Sequence, residues 1–312
     1  MASWRRIALI GGALVAAALL AAEGRPAGAP SGRIYFVSWR DATESEARAY
    51  RGLEIYSMRP DGGDVRRLTR NRVDDLSPQV SRDGRRIAFL RRAGNRYEVW
   101  TMRSDGSDAR RIAPARQLQS PTWSPDGRRI AYVDQTPQGS SLWVMQTNGT
   151  ARKRIVFPAP PPSLSTDDWP YRIVATPAWS PDGRTIAFSN GMSLWSVSVE
   201  TEAVKRLAPC PRGYCLSPAW SPDGRRIAFQ HVSGPVVKVV AATGGPAKVV
   251  VPRNMGGGGT PSWSPDSRWI VFNRGYLPGH PYQELAIVRA TGGAQRRLTT
   301  NFVDDHSAAW GR

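Results

Sequence analysis

Histidine and cysteine are scarce in this chain, with three and two residues among 312, and their scarcity removes whole classes of chemistry. His231, His280 and His306 stand far apart, and none falls in a zinc-ligand spacing. Neither Gly-x-Ser-x-Gly nor Gly-x-x-x-x-Gly-Lys occurs, so no nucleophile elbow or phosphate-binding loop is signalled. The run 256–259 is all glycine and reads as a connector. Acidic residues are also few, 25 against 43 Lys and Arg, which leaves a formal charge of +18. Long apolar runs are missing except for one, residues 7–22.

That run defines the N-terminal end. Arg5 and Arg6 precede it and small residues follow, the layout of an export signal. Residues 1–24 are read as a signal peptide and 25–30 as a linker, with 31–312 forming a single domain. The run falls short of the roughly 20 residues that span a bilayer comfortably, and an uncleaved anchor is the alternative, the one route to a membrane that this reading contains. The expected location is outside the cytoplasm: periplasm, cell envelope or extracellular space. Cys210 and Cys215, in Cys-Pro-Arg-Gly-Tyr-Cys, are then expected to form a disulfide across a turn.

What the chain has in abundance is one phrase. Trp-Ser-Pro-Asp-Gly-Arg-Arg-Ile-Ala stands at 123–131 and 220–228, with variants at 80–88, 179–187 and 263–271. Its aspartates, Asp83, Asp126, Asp182, Asp223 and Asp266, recur at intervals of 43, 56, 41 and 43 residues. Pro, Asp and Gly together set a tight turn. The flanking residues alternate large and small with period two, which is strand and not helix. A third strand follows (54–58, 98–102, 142–145, 194–197, 236–240, 285–288), and then, in most copies, a turn built from Asp-Gly, Asn-Gly or Gly-Gly. A fourth strand carries Lys or Arg in every copy: Arg66, Arg110, Lys153, Lys205, Lys248 and Arg296. Four antiparallel strands per unit make a propeller blade. Proline in the first strand marks the inner edge, where no ladder donor is missed. Charge on the fourth strand guards the outer edge, and much of the positive charge is read as a solvated rim.

The count predicts an all-β, six-bladed propeller of four-stranded blades, closed by strands from both termini. The blades are placed at 305–312 with 31–70, then 71–114, 115–157, 158–209, 210–253 and 254–304. The five tryptophans at 123, 179, 220, 263 and 310 are read as packing between blades.

The phrase Ser/Thr-Pro-x-Trp-Ser-Pro-Asp-Gly-Arg-x-Ile-Ala-Phe resembles the propeller repeats of the TolB family. So do the segments 68–78, Leu-Thr-Arg-Asn-Arg-Val-Asp-Asp-Leu-Ser-Pro, and 298–307, Leu-Thr-Thr-Asn-Phe-Val-Asp-Asp-His-Ser. The resemblance covers residues 31–312 and implies the fold directly. TolB is a periplasmic protein whose propeller docks a peptidoglycan-associated lipoprotein, so the resemblance also implies a binding role. TolB carries an α/β domain ahead of its propeller, and the few residues before the first repeat imply that this domain is lacking. One superfold hosts unrelated activities, so the resemblance names no reaction.

Antiparallel alternation places the uniform turns on one face of the ring and the divergent loops on the other. Function commonly lies on variable loops held by a rigid scaffold. The candidate binding residues on the loop face are Asp74, Asp75, Asp167, Asp168, Trp169, Tyr171, Tyr276, His280, Tyr282, Asp304, Asp305 and His306, and Tyr214 joins the aromatics as an interface anchor. The paired aspartates are expected around the channel mouth, either as ligand groups or as caps for backbone N–H groups. The leading expectation is an exported, non-enzymatic propeller that binds a protein or cell-envelope component. It needs no cofactor and no specific nucleic-acid site. The alternative is a hydrolase or lyase using the channel-mouth carboxylates, with a divalent cation such as calcium. A third reading, binding of an anionic polymer by the basic rim, requires affinity that falls steeply with salt.

Overall fold

The computed structural model describes residues 29–43, 52–71, 73–115, 118–136, 139–155, 176–211, 213–232, 235–252, 259–275, 282–301 and 303–312. The signal segment and the candidates Asp167, Asp168, Trp169, Tyr171, Tyr276 and His280 lie outside them. The described residues form six four-stranded antiparallel sheets and no helix.

Blade one joins β24 (Asp305–Gly311) from the C-terminal end to β1 (Arg33–Ser38), β2 (Glu54–Met58) and β3 (Arg66–Arg67). Blade two is β4 (Asp75–Val80), β5 (Arg86–Ala93), β6 (Arg96–Arg103) and β7 (Arg110–Ala115). Blade three is β8 (Leu118–Trp123), β9 (Arg129–Thr136), β10 (Gly139–Gln146) and β11 (Lys153–Ile155). Blade four is β12 (Ala178–Trp179), β13 (Thr185–Ser189), β14 (Ser193–Ser198) and β15 (Val204–Pro209). Blade five is β16 (Cys215–Trp220), β17 (Arg226–Val232), β18 (Pro235–Ala241) and β19 (Lys248–Val251). Blade six is β20 (Gly259–Trp263), β21 (Trp269–Arg274), β22 (Glu284–Arg289) and β23 (Arg296–Arg297). The six-bladed ring and its closure by both ends of the chain are therefore as the repeat predicts.

The repeated turn is built by its own side chains. In each copy the serine hydroxyl donates to the aspartate Oδ1 at 2.5–2.6 Å. The same Oδ1 accepts the backbone N–H two residues on, at 3.0–3.1 Å. The serine oxygen accepts the N–H of the first residue of the return strand, at 2.9 Å. Local polar groups thus satisfy the chain reversal without help from the rest of the fold.

The outer turns depend on glycine for a different reason. Gly62 and Gly106 have φ near +91°, and a Cβ on either would come within 2.6 Å of a carbonyl of the preceding blade, Leu298 or Leu68. The fourth strands of blades one and six stop earlier than the sequence suggests, after Arg67 and Arg297. The Thr69 and Thr299 hydroxyls take the N–H groups of Ile55 and Leu285, while the carbonyls of the same two residues still accept the N–H groups of Leu68 and Leu298 at 2.8 Å.

The core consists of six apolar clusters, each lying between two neighbouring blades. Alternate residues of a strand point to opposite faces, so Ile34 and Phe36 pack toward blade six while Tyr35 packs toward blade two. The repeat's tryptophan sits on the small second-strand residue of the blade before it. Trp123 joins Ala88, Trp179 joins Ala131, Trp220 packs beside Ala187, Trp263 joins Ala228, and Trp310 joins Val271. At the sixth interface the sizes are exchanged, with Val80 packed against the cluster that holds Tyr35.

Closure makes two predictions. Deleting 305–312 removes the inner strand of blade one, and Trp310→Ala alone should cost about 3–5 kcal/mol; unchanged thermal unfolding in both would count against a sealed ring. Val80→Trp should destabilise by about 1–3 kcal/mol through overpacking. Adding Tyr35→Ala should recover most of that loss in chemical denaturation, and an additive double variant would refute the size exchange.

Candidate interaction face

Two segments of one pattern, Asn71-x-Val-Asp74-Asp75 and Asn301-x-Val-Asp304-Asp305, lead into β4 and β24 on the loop face. In each, the second aspartate has no exposed surface. Asp75 binds Arg91 through both oxygens at 2.7 and 2.8 Å, and Asn71 donates to it at 2.7 Å. Asp305 binds Arg40 through both oxygens at 3.0 Å, and Asn301 donates to it at 3.0 Å. The first aspartate of each pair receives a backbone N–H: Asp74 that of Leu53 at 3.2 Å, Asp304 that of Gln283 at 2.6 Å. Asp74 also pairs with Arg92 at 3.0 Å.

Glutamates at the start of the third strands extend the pattern. Glu54 accepts from Arg67 at 3.0 Å and from the Asn71 N–H at 2.8 Å, and Glu284 pairs with Arg297. Burial raises the Glu54 carboxyl above its usual range, against hydrogen bonds that pull it down. Arg40 lies over the rings of Phe36 and Tyr56 at 5.0 and 5.1 Å, and the Tyr56 hydroxyl donates to Asp41 at 2.8 Å. Burial first, and then the Asp41 carboxylate, push that phenol upward. The described carboxylates of the face are thus tied by arginines within their own blades, and backbone N–H contacts at Asp74, Glu54 and Asp304 join neighbouring blades. Asp75 and Asp305 begin inner strands as expected, but they turn into the protein and not toward the channel.

The channel is lined by hydroxyls. A cavity of about 250 Å3 runs along the axis, and Ser77, Thr122, Thr176, Ser217, Thr260 and Ser307 each reach it, one from every blade. No charged residue lines it among the described residues. Ser77, Ser217, Thr260 and Ser307 have positive φ (53°, 50°, 38° and 53°), each at a bulge of the inner strand.

The open apolar surface lies elsewhere on the loop face, where blades four and five meet. Met192, Tyr214 and Val232 are 49%, 59% and 40% exposed, three of the five large exposed apolar residues found among the described residues. Backbone bonds connect them: Cys210 N–H to Met192 O at 2.8 Å, Cys215 N–H to Gly191 O at 2.7 Å, and Val232 N–H to Tyr214 O at 2.8 Å. The Cys210–Cys215 disulfide forms, with Cα atoms 5.8 Å apart, and both cysteines are buried in the cluster between these blades. The disulfide loop therefore holds Tyr214 outward on a fixed base. Met192 and Val232 carried no sequence signal, since Met192 is a single apolar residue in a polar turn and Val232 ends a strand as an ordinary apolar residue. Tyr282 and His306 are half-buried, and His306 Nδ1 lies 2.9 Å from Ser307 Oγ.

Burial holds His306 below the ordinary imidazole value, outweighing the opposite pull of Asp304 and Asp305; burial and then Lys238 do the same to His231. Below about pH 6.5 the unfolded chain takes up protons that these folded imidazoles refuse, so stability falls with pH from there down to the folded values. Glu54 acts in the opposite sense, because its raised value disfavours the folded carboxylate as pH rises above the unfolded value. Thermal melting of wild type and His306→Gln between pH 7.5 and 5.5, a window set by the imidazole range, separates the two effects. The variant should lose less stability on acidification, and parallel curves would remove His306 as a contributor.

Residues 25–163 match the family model described as the TolB beta propeller domain. Among solved structures, TolB from Acinetobacter baumannii superposes with a TM-score of 0.74 at 20% identity, over 90% of this chain and 67% of that one. A putative TolB from Agrobacterium tumefaciens gives 0.62 at 18% identity, over 88% and 91%. A chain of a nidogen/laminin complex gives 0.65 at 8% identity, over 89% and 98%. No curated protein matches the chain. With the repeat, the six closed blades and these likenesses together, the chain is a six-bladed β-propeller similar in fold to TolB.

Proposed function

We propose that this propeller is an exported, non-enzymatic scaffold that docks a protein or cell-envelope component through its loop face. The observation that carries the reading is the exposed set Met192, Tyr214 and Val232, held on a disulfide-braced base where blades four and five meet. Aromatic residues with an apolar surround are what protein interfaces use as anchors. A disulfide suits an oxidising compartment, which agrees with the export signal read at residues 1–24.

The acid–base alternative draws less support. Asp74, Asp75 and Asp305 are held in ion pairs with arginine and Asp304 accepts a backbone N–H, whereas a general acid or base must be free to exchange its proton. Among the described residues no three His, Cys, Asp or Glu side chains gather as a metal site would require. A structure bearing the name of a nidogen/laminin complex contains a chain of this build, a precedent for the fold within a protein assembly.

The test is site-specific photo-crosslinking in envelope fractions of the native host. A photoreactive residue at Tyr214 should form a discrete adduct, and one at Asn148 on the opposite face should not. Met192→Ser with Val232→Thr should weaken the Tyr214 adduct without shifting thermal unfolding. Equal labelling from both positions, or none from Tyr214, would reject the assigned face.

A further inference from the structure

We propose that the turn face, opposite the loop face, is a docking surface for the anionic headgroups of a lipid bilayer. The first observation is an excess of positive charge. The turns at 82–86, 126–129, 182–185, 223–226 and 266–269 hold nine arginines against five aspartates. The aspartates are exposed beside them, each held at its turn by a serine hydroxyl and a backbone N–H, and Asp223 also pairs with Arg226 at 3.6 Å. Apart from Arg82, whose guanidinium donates to the Pro181 carbonyl at 2.7 Å, the arginines divide into two kinds. Those ending the turns of blades two, three and five stack on the tryptophan of the next blade, as Arg86 on Trp123, Arg129 on Trp179 and Arg226 on Trp263, each 4.8 Å from the ring. The others, Arg85, Arg128, Arg184, Arg225 and Arg268, are exposed; the side chains of the first four act on the neighbouring aspartate of their own turn only through their charge. Packing does not explain them.

Their arrangement fits a plane. They occupy one equivalent position in five consecutive blades, so the ring sets five guanidinium groups around the axis at one level. A linear polyanion would be served by a groove; a level ring of cations matches a flat anionic surface. The loop face contrasts with this, because its arginines are paired with buried carboxylates.

The second observation is where the chain enters the ring. Gly32 lies against the Gly311 carbonyl and Pro265, and Trp310 Nε1 donates to the Ser31 carbonyl at 2.8 Å. The described chain therefore starts on the turn face. The apolar run ends at Ala22, seven residues before Ala29, a span of at most about 25 Å when fully extended. An apolar run inserted in a membrane would hold this face, and not the loop face, toward the lipid.

Each arginine brought to an anionic leaflet strengthens binding by a factor of about five, and salt screens the effect within a Debye length. The experiment is partition of the full chain onto vesicles of phosphatidylcholine alone and of phosphatidylcholine with one-third phosphatidylglycerol. The neutral vesicles measure the apolar segment, and the difference measures the face. Wild type should bind the anionic vesicles at least about tenfold more tightly, with the excess lost at high salt. The five Arg→Gln substitutions together should erase that excess and leave binding to neutral vesicles unchanged. If that variant fails to fold, Arg184→Gln with Arg225→Gln should give a partial loss. An undiminished excess in a folded variant, or tighter capture by soluble heparin than by the vesicles, would overturn the proposal.

Discussion

The ring depends on a large residue of one blade resting on a small residue of the blade before it. A four-stranded sheet cannot bury both of its faces alone, so each blade is stable only between two others. The tryptophan of Trp-Ser-Pro-Asp-Gly closes that gap, and the alanine of Ile-Ala makes room for it, as Trp179 does with Ala131. Interiors are packed to crystal-like density, so the pair must keep its combined volume at every interface. Where the tryptophan is replaced, its neighbour grows: Val80 faces Tyr35, and the sum is kept by exchange. The interface next to the seam, where the two chain ends meet, is the one that departs from the rule. There a Cβ on Gly311 would meet the Val80 methyls at 2.7 Å, a site with no space for an indole.

Backbone contacts tie the blades on the loop face, Leu53 N–H to Asp74 and Gln283 N–H to Asp304, and ion pairs brace these blades within. A buried carboxylate is costly unless it is paired and hydrogen-bonded, and Asp75 and Asp305 are both. Their arginines come from different parts of the repeat, Arg91 within the same blade and Arg40 from 265 positions away. Equivalent acids are thus satisfied by non-equivalent bases, which is possible because blade one is assembled from both ends of the chain.

This explains what could be read in advance. Strand order, turn chemistry and blade number were legible because each rests on local residues repeated at a fixed interval, and the disulfide because the chain's two cysteines stand five positions apart. The aspartate pairs were visible as a pattern, but their meaning was not, since Asp305 and Arg40 become neighbours only after closure. Met192 and Val232 were illegible for a simpler reason. Each is an ordinary residue in its own segment, and only the backbone bonds around the disulfide loop bring them beside Tyr214.

The repeat also separates the charge into kinds that composition merges. Some arginines cover tryptophan faces, some neutralise buried acids, and some guard outer edges, such as Arg66, Arg110 and Arg296, all exposed. Arg82 belongs to none of these. It stands where the four other copies have proline, and its guanidinium reaches from blade two to the Pro181 carbonyl of blade four at 2.7 Å. Blade three lies between, so the side chain crosses the end of the channel along a chord. Proline there would hold the turn equally well, and the packing of blade two gains nothing from the exchange. The substitution acts instead on the ring, tying blade two to blade four at the turn face.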